Sequence, residues 1–232
     1  MTAADRNKRA AAEAAVDAVT DGMAVGLGTG STAAFFVRAL GARVRERGWT
    51  LRCVPTSEAT AALAREARLE LRTLEEVGAL DLTVDGADEV GPGLALIKGG
   101  GGALLREKLV WAASRRCVCI ADAEKRVEML GRFDLPVEVV AFAHASTAER
   151  LARAAANAGV PAHPVMRRRE GAPFRTDEGH VIYDLPCGRI PDPEALAAAL
   201  KAVVGVVEHG LFLHMADEAL IGSAGGVDRI TA

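Results

Sequence analysis

Apolar positions along the chain change their period several times, and each change marks an element. MAVGLG (23–28) is a short apolar run of strand length, whereas Phe36, Leu40 and Val44 in STAAFFVRALGARVRER (31–47) recur at helical spacing. LRCVP (51–55) again reads as a strand and SEATAALAREA (57–67) as a helix. The series continues through LELRTL, through ALDLTVDG with Leu80, Leu82 and Val84 alternating, and through LALIK. A helix over 103–113 and the strand CVCIAD follow. Strands separated by helices predict an α/β fold: a mostly parallel, Rossmann-like sheet with helices on both faces.

After about residue 131 the texture changes. PVEVVAF reads as a strand, STAERLARAAANAG as a helix, and VPAHPVMRR and HVIYDLP as two strands around the turn-rich EGAPFRTDEG. DPEALAAALKAV is a helix with Pro193 at its start, and GVVEHGLF is a strand. That order, β-α-β-β-α-β, is the ferredoxin-like pattern of a smaller α+β domain. ADEALIGSAGGVDRITA reads as a further short α/β piece that returns to the first domain. The expected division is 1–130 with 208–232 in the Rossmann-like domain, and 131–207 in the inserted one.

Composition narrows the partners. The 232 residues are 50% hydrophobic and 25% charged, with a formal net charge of -3, so nothing points to nucleic acid or an acidic membrane. The basic run Arg167-Arg168-Arg169 is followed at once by Glu170 and reads as a solvated loop or edge strand. No apolar stretch reaches the roughly 18 residues that span a bilayer, and MTAADRNKRAAAEAAVDAV has no signal-peptide core, so the cytoplasm is the expected compartment. Cys53, Cys117, Cys119 and Cys187 form no CxxC pair, and the five histidines are scattered without ligand spacing. No metal site is expected, and the cysteines read as small buried apolar residues.

Ligands of open parallel sheets bind beyond the carboxyl ends of the strands. Those ends here read GLGTGST, PTSE, DGADE, KGGGG and ADAEK. GLGTGST joins a strand to a helix and is either a plain tight turn or an anion site, with Ser31 or Thr32 adding a hydroxyl. It departs from the dinucleotide fingerprint at Ser31 and lacks the lysine of a Walker loop, so a small phosphate monoester fits better than a nucleotide. Asp85 and Asp88 are either turn formers or a carboxylate pair for acid–base work. Lys98 ahead of side-chain-free backbone offers a cation and several N–H groups to an oxygen-rich ligand. Glu107, an early-helix acid beside that loop, is either an exposed charge or a general base.

Taken in order, GLGTGSTA, DLTVDGADEV, KGGGGALLREKLV and IADAEK closely resemble the A type of ribose-5-phosphate isomerase, and the likeness runs on through LPVEVV, IPDPEAL and GVVEHGLF. The resemblance implies interconversion of ribose 5-phosphate and ribulose 5-phosphate without a metal or organic cofactor, in the pentose phosphate pathway. It implies that Glu107 is the base that moves a proton between C1 and C2 through an enediolate, with Asp85 and Lys98 assisting ring opening and stabilising the oxygens. It further implies substrate binding by Thr29, Gly30, Ser31 and Thr32, by Asp85, Gly86, Ala87 and Asp88, and by Lys98, Gly99, Gly100 and Gly101. Lys125 matches a ligand-binding lysine and Lys8 a phosphate contact. A homodimer or larger homo-oligomer is implied as well. Related readings are an amino-sugar phosphate deaminase, a CoA-transferase relative, and a sugar-phosphate sensor without catalysis. Arg68 stands where the family commonly ends a helix with glycine, and His180 where asparagine is frequent.

Overall fold

A computed structural model describes residues 2–231. In chain order the elements begin with α1 (Ala3–Val16), β1 (Ala24–Leu27), α2 (Ser31–Arg47), β2 (Arg52–Pro55), α3 (Glu58–Glu66), α4 (Leu74–Val77) and β3 (Leu82–Gly86). Next come β4 (Glu89–Val90), β5 (Leu96–Ile97), α5 (Leu104–Ala112), β6 (Cys117–Asp122), β7 (Leu135–Val139), α6 (His144–Asn157) and β8 (Val165–Met166). The rest are β9 (Arg168–Arg169), β10 (Ala172–Pro173), β11 (Val181–Leu185), α7 (Pro193–Lys201), β12 (Val206–His209), β13 (Leu211–Phe212), β14 (Glu218–Ser223) and β15 (Gly226–Thr231).

Two compact units contain them. The first comprises Met1–Ala87, Arg106–Arg126 and His214–Ala232; the second comprises Asp88–Leu105 and Val127–Leu213. The first unit holds a six-stranded sheet in the order β15-β14-β6-β3-β1-β2, parallel throughout except for the antiparallel edge strand β15. Strand β1 is buried along its whole length, as expected where both faces of a parallel sheet are covered. On one face Ala11, Ala12, Ala15 and Val16 of α1 join Phe36, Val37 and Leu40 of α2 over Val25, Leu27, Val84 and Ile120. On the other, Ala24, Val54, Leu80 and Val110 pack with Leu74 and Val77.

In the second unit the sheet order β12-β7-β11-β8, antiparallel at every pairing, is the ferredoxin-like arrangement. Its core runs through Leu135, Val137 and Val139 of β7, Val181, Tyr183 and Leu185 of β11, Leu151 and Ala155 of α6, and Leu196 and Leu200 of α7. Strands β9 and β10 make a small separate hairpin.

Several expectations shift in detail. LALIK yields β5, which lies antiparallel between β4 and β13 in a sheet of the second unit instead of joining the parallel sheet. Only a short turn separates β4 from β5, too little chain for the crossover that parallel pairing needs. GVVEHGLF is two strands: Gly210 interrupts it, its N–H donating to the Pro136 carbonyl at 2.8 Å and its carbonyl accepting from Lys98 N–H at 2.9 Å. In LELRTL only Leu71 bridges to Cys53, and the next residues form α4, closed by a Thr73–Glu76 capping box. The final segment returns to the first sheet but contains no helix: β14 and β15 form a hairpin. Its Ser-Ala-Gly-Gly turn is a short-range hairpin signal that outweighs the helical reading.

Arg68 closes α3 in the left-handed conformation. Its φ is +61°, and the N–H groups of Arg68 and Leu69 donate to the carbonyls of Arg65 and Ala64, the paired bonds of a Schellman cap. His180 turns its Nδ1 to Glu138 Oε1 at 2.9 Å, and Thr176 Oγ1 donates to the same oxygen at 2.9 Å. Among the cysteines, Cys53, Cys117 and Cys119 are buried and Cys187 is half-buried. Burial pushes the Cys53 and Cys187 thiols up to about 12, which makes both poor nucleophiles.

Candidate active site

The first unit gathers one group of candidate residues at the carboxyl ends of β1, β3 and β6. Asp85, next to last in β3, is fully buried, and its Oδ1 accepts the N–H of Thr29 at 3.0 Å and of Gly86 at 2.7 Å. A Cβ on Gly28 would lie 2.1 Å from that oxygen, so only glycine lets the first loop pass this close to the carboxylate. Thr29 contributes its backbone to Asp85 and turns its hydroxyl the other way. Thr29 Oγ1 lies 2.7 Å from Thr56 Oγ1, 2.8 Å from Ser57 Oγ and 3.1 Å from Thr60 Oγ1. Thr56 and Thr60 in turn donate to the carbonyls of Leu27 and Gly28, at 3.1 and 3.0 Å. This hydroxyl cluster pins the loop from behind. PTSEAT carried the signal, three hydroxyls at a strand end and in the first turn of a helix, but only contacts distant in sequence reveal whom they serve.

Gly30 caps α2 without a side-chain bond, so the amides of the first turn face outward from a positive helix end. Ser31 is exposed and Thr32 buried there, and Lys8 of α1 donates from Nζ to Ser31 Oγ at 3.1 Å. A cation, two hydroxyls and free helix amides suit a phosphate group. Glu107 sits in the first turn of α5 with 4% exposure, so it is not a solvated surface charge. Its neighbour Arg106 ties that turn to α3, donating to Glu58 Oε1 at 2.9 Å. The same arginine holds the Glu58 carboxyl below the usual range. Lys125 ends a short 3-10 turn after β6, introduced by Asp122, whose carboxylate accepts from Glu124 N–H at 3.1 Å.

The second unit carries the other group. Asp88 donates its N–H to the Ile97 carbonyl at 2.8 Å, and its Oδ2 accepts the N–H of Gly100 at 2.7 Å. A Cβ on Gly100 would come within 2.7 Å of the same carboxylate. The glycine run turns tightly, Gly102 N–H donating to the Gly99 carbonyl at 3.0 Å with Gly99 at a φ of +106°. Lys98 is 1% exposed, rare for lysine, and its Nζ stands 5.3 Å from the centroid of the Phe212 ring. Glu89, within the DGADE motif but not among the expected site residues, is fully buried and structural. Its carboxylate accepts the N–H groups of Gly131 and Phe133 at 2.8 and 2.7 Å.

The structure thus brings Asp85 together with Thr29 and Gly86, Lys8 with Ser31, and Asp88 with Gly100. Ala87 is half-buried between the two aspartates. Among the described residues no cluster of three or more His, Cys, Asp or Glu side chains could hold a metal, and no helix is long and apolar enough to cross a membrane.

Known proteins resemble this chain in sequence and fold. Ribose-5-phosphate isomerase A of Caulobacter vibrioides is 60% identical over 227 residues, 98% of each chain. The solved ribose 5-phosphate isomerase of Plasmodium falciparum superposes with a TM-score of 0.93 at 35% identity, covering 98% of this chain and 99% of that one. A D-ribose-5-phosphate isomerase in complex with phospho-erythronic acid gives 0.91 at 33% identity over the whole of both chains. Residues 52–226 match the family described as ribose 5-phosphate isomerase A (phosphoriboisomerase A). With relatives this similar along nearly its whole length, the chain belongs to the ribose 5-phosphate isomerase A family.

Proposed function

We propose that this protein interconverts D-ribose 5-phosphate and D-ribulose 5-phosphate, the aldose–ketose step of the non-oxidative pentose phosphate pathway. The 60% identity to the Caulobacter isomerase over 98% of both chains carries that reading. In the proposed roles, Glu107 removes the proton from C2 of the ring-opened aldose. The electron pair moves onto the C1 oxygen and gives an enediolate. Glu107 then returns the proton to C1 while the C2 hydroxyl proton passes to O1 with help from Asp85, leaving the ketose. Such a positioned base contributes on the order of 10²–10⁴-fold. The Lys98 ammonium and the amides of Gly99 and Gly101 hold the developing oxyanion, an effect typically of about 10²–10³-fold per donor, while Asp88 braces the Gly100 N–H between them.

Lys8, Gly30, Ser31 and Thr32 are the proposed phosphate site, and Thr29, Gly86, Ala87, Asp88 and Lys125 line the sugar. The phosphate supplies the remote binding energy that orients the reacting carbons. Action in the cytoplasm, as a homodimer or larger homo-oligomer, belongs to the same proposal; light scattering on the purified protein tests the assembly. The reaction itself is tested by following ribulose 5-phosphate formed from ribose 5-phosphate. Conversion is expected, and none at any pH from 6 to 9 would move the assignment to a deaminase or a sensor.

A further inference from the structure

Arg167 opens a basic run that reads in sequence as solvated, and Arg168 and Arg169 do lie exposed on the edge strand β9. Arg167 does not. Its backbone is fixed on both sides, the N–H donating to the Ile182 carbonyl and the carbonyl accepting from Phe174 N–H, each at 2.9 Å. Its guanidinium is gripped by Asp184 of β11, through Nε to Oδ2 at 2.9 Å and Nη2 to Oδ1, with only 15% of the side chain exposed. The remaining edge reaches the glycine turn: Nη1 donates to the Gly99 carbonyl at 2.8 Å and to the Gly100 carbonyl at 3.2 Å. The turn is therefore held from both polarities, Asp88 accepting the Gly100 N–H and Arg167 taking the carbonyls. Peptide planes are rigid, so fixing a carbonyl also fixes the N–H on the far side of the same plane. The Gly99 and Gly100 carbonyls share their planes with the N–H groups of Gly100 and Gly101. The first is spent on Asp88, and the second is aimed by Arg167.

We propose that Arg167, locked by Asp184, is a positioning residue that presets the Gly99–Gly101 turn so that the Gly101 N–H meets the enediolate oxygen. This rests on the reading that the glycine turn binds substrate. Donors preset before charge develops stabilise the transition state more than the ground state, so the loss falls on kcat more than on KM. A fork of two parallel bonds to Asp184 with a third edge free is open to arginine and closed to lysine.

The test compares the parent with Arg167→Gln, Arg167→Lys and Asp184→Asn, each normalised to its folded fraction by thermal unfolding. Arg167→Gln is expected to lower kcat by about 10²-fold with KM within about threefold. Its inhibition constant for phospho-erythronic acid, whose carboxylate presents enediolate-like oxygens, should rise at least tenfold, while inhibition by inorganic phosphate stays put. Arg167→Lys should recover only part of the loss, and Asp184→Asn, which keeps the arginine, should show the same pattern more weakly. If Arg167→Gln does not fold, Asp184→Asn alone decides. Loss that merely tracks the folded fraction, or kcat within threefold of the parent, overturns the inference. Glu107→Gln run alongside separates the two readings. If it is inactive while Arg167→Gln is fully active, the positioning role alone falls; if it is fully active, the site assignment falls with it.

Discussion

The backbone N–H of Thr29 donates to Asp85 Oδ1 at 3.0 Å while the Thr29 hydroxyl faces away, into the cluster of Thr56, Ser57 and Thr60. One residue thus orients a buried carboxylate with its main chain and anchors the loop with its side chain. Thr29→Val keeps the shape and removes the hydroxyl at the centre of the cluster, so it should cost about 0.5–1.5 kcal/mol of stability. Thr29→Ser should cost less. Denaturant unfolding of the pair checks this; equal stabilities would show that the hydroxyl cluster does not hold the loop.

Gly28→Ala places a methyl group where Asp85 Oδ1 now lies, at 2.1 Å. Either the loop or the carboxylate must shift, at about 1–3 kcal/mol. A displacement of this size beside a reacting group should lower kcat/KM by about 10²-fold, which steady-state kinetics would read.

Glu107→Gln preserves size and the early-helix position but removes the base. It is expected to fold like the parent, with a matching unfolding curve, and to lose at least about 10²-fold in kcat. Near-parental turnover would remove Glu107 from its role.

Arg68→Gly should stabilise the protein. Arg68 holds a φ of +61° at the end of α3, a conformation that costs a side-chain-bearing residue about 1–2 kcal/mol and glycine little. The greater freedom of glycine in the unfolded chain offsets part of this, leaving a gain near 0.5–1 kcal/mol and a higher Tm. A lower Tm would mean that Arg68 makes a compensating contact.

Burial pushes the Glu138 carboxyl above its ordinary 4.5, against the opposing pull of His180 and Thr176. A carboxyl with a raised folded pKa binds more protons folded than unfolded. Its contribution is therefore largest at and below 4.5 and declines as pH rises toward the raised value. Relative to Glu138→Gln, which cannot ionise, the parent should lose stability across that window and then level off. Parallel Tm–pH profiles for the two proteins would contradict it.

Activity is expected to survive exhaustive dialysis against chelator, since the described residues form no cluster suited to a metal. Loss restored by adding back a divalent cation would overturn that expectation.

Periodicity in the sequence makes the two larger sheets legible because local apolar spacing and tertiary burial agree there, as in β1, β3, β6, β7 and β11. Where they part, local spacing misleads. LALIK looks like one more strand of the parallel sheet, and only the short chain before it shows that it must pair antiparallel. The glycine-rich and acidic motifs were visible as residues at strand ends. Their division of labour was not: Glu89 and Asp88 are adjacent in DGADE, yet one braces a loop and the other holds Gly100. Arg167 was the least legible, because an arginine run looks the same whether solvated or gripped by a carboxylate from another strand.

Strand β14 lies between β6 and β15 in the first unit's sheet, and α1 packs closely against it, a Cβ on Gly222 falling 1.9 Å from the Asn7 carbonyl oxygen. During synthesis, helix α1 is made long before residues 218–223 and must wait for them before its partner strand exists. The second unit has all of its chain once Leu213 has been made. The order of completion is thus inverted relative to the order of starting: the second unit has its whole chain before β14 and β15 of the first have been made.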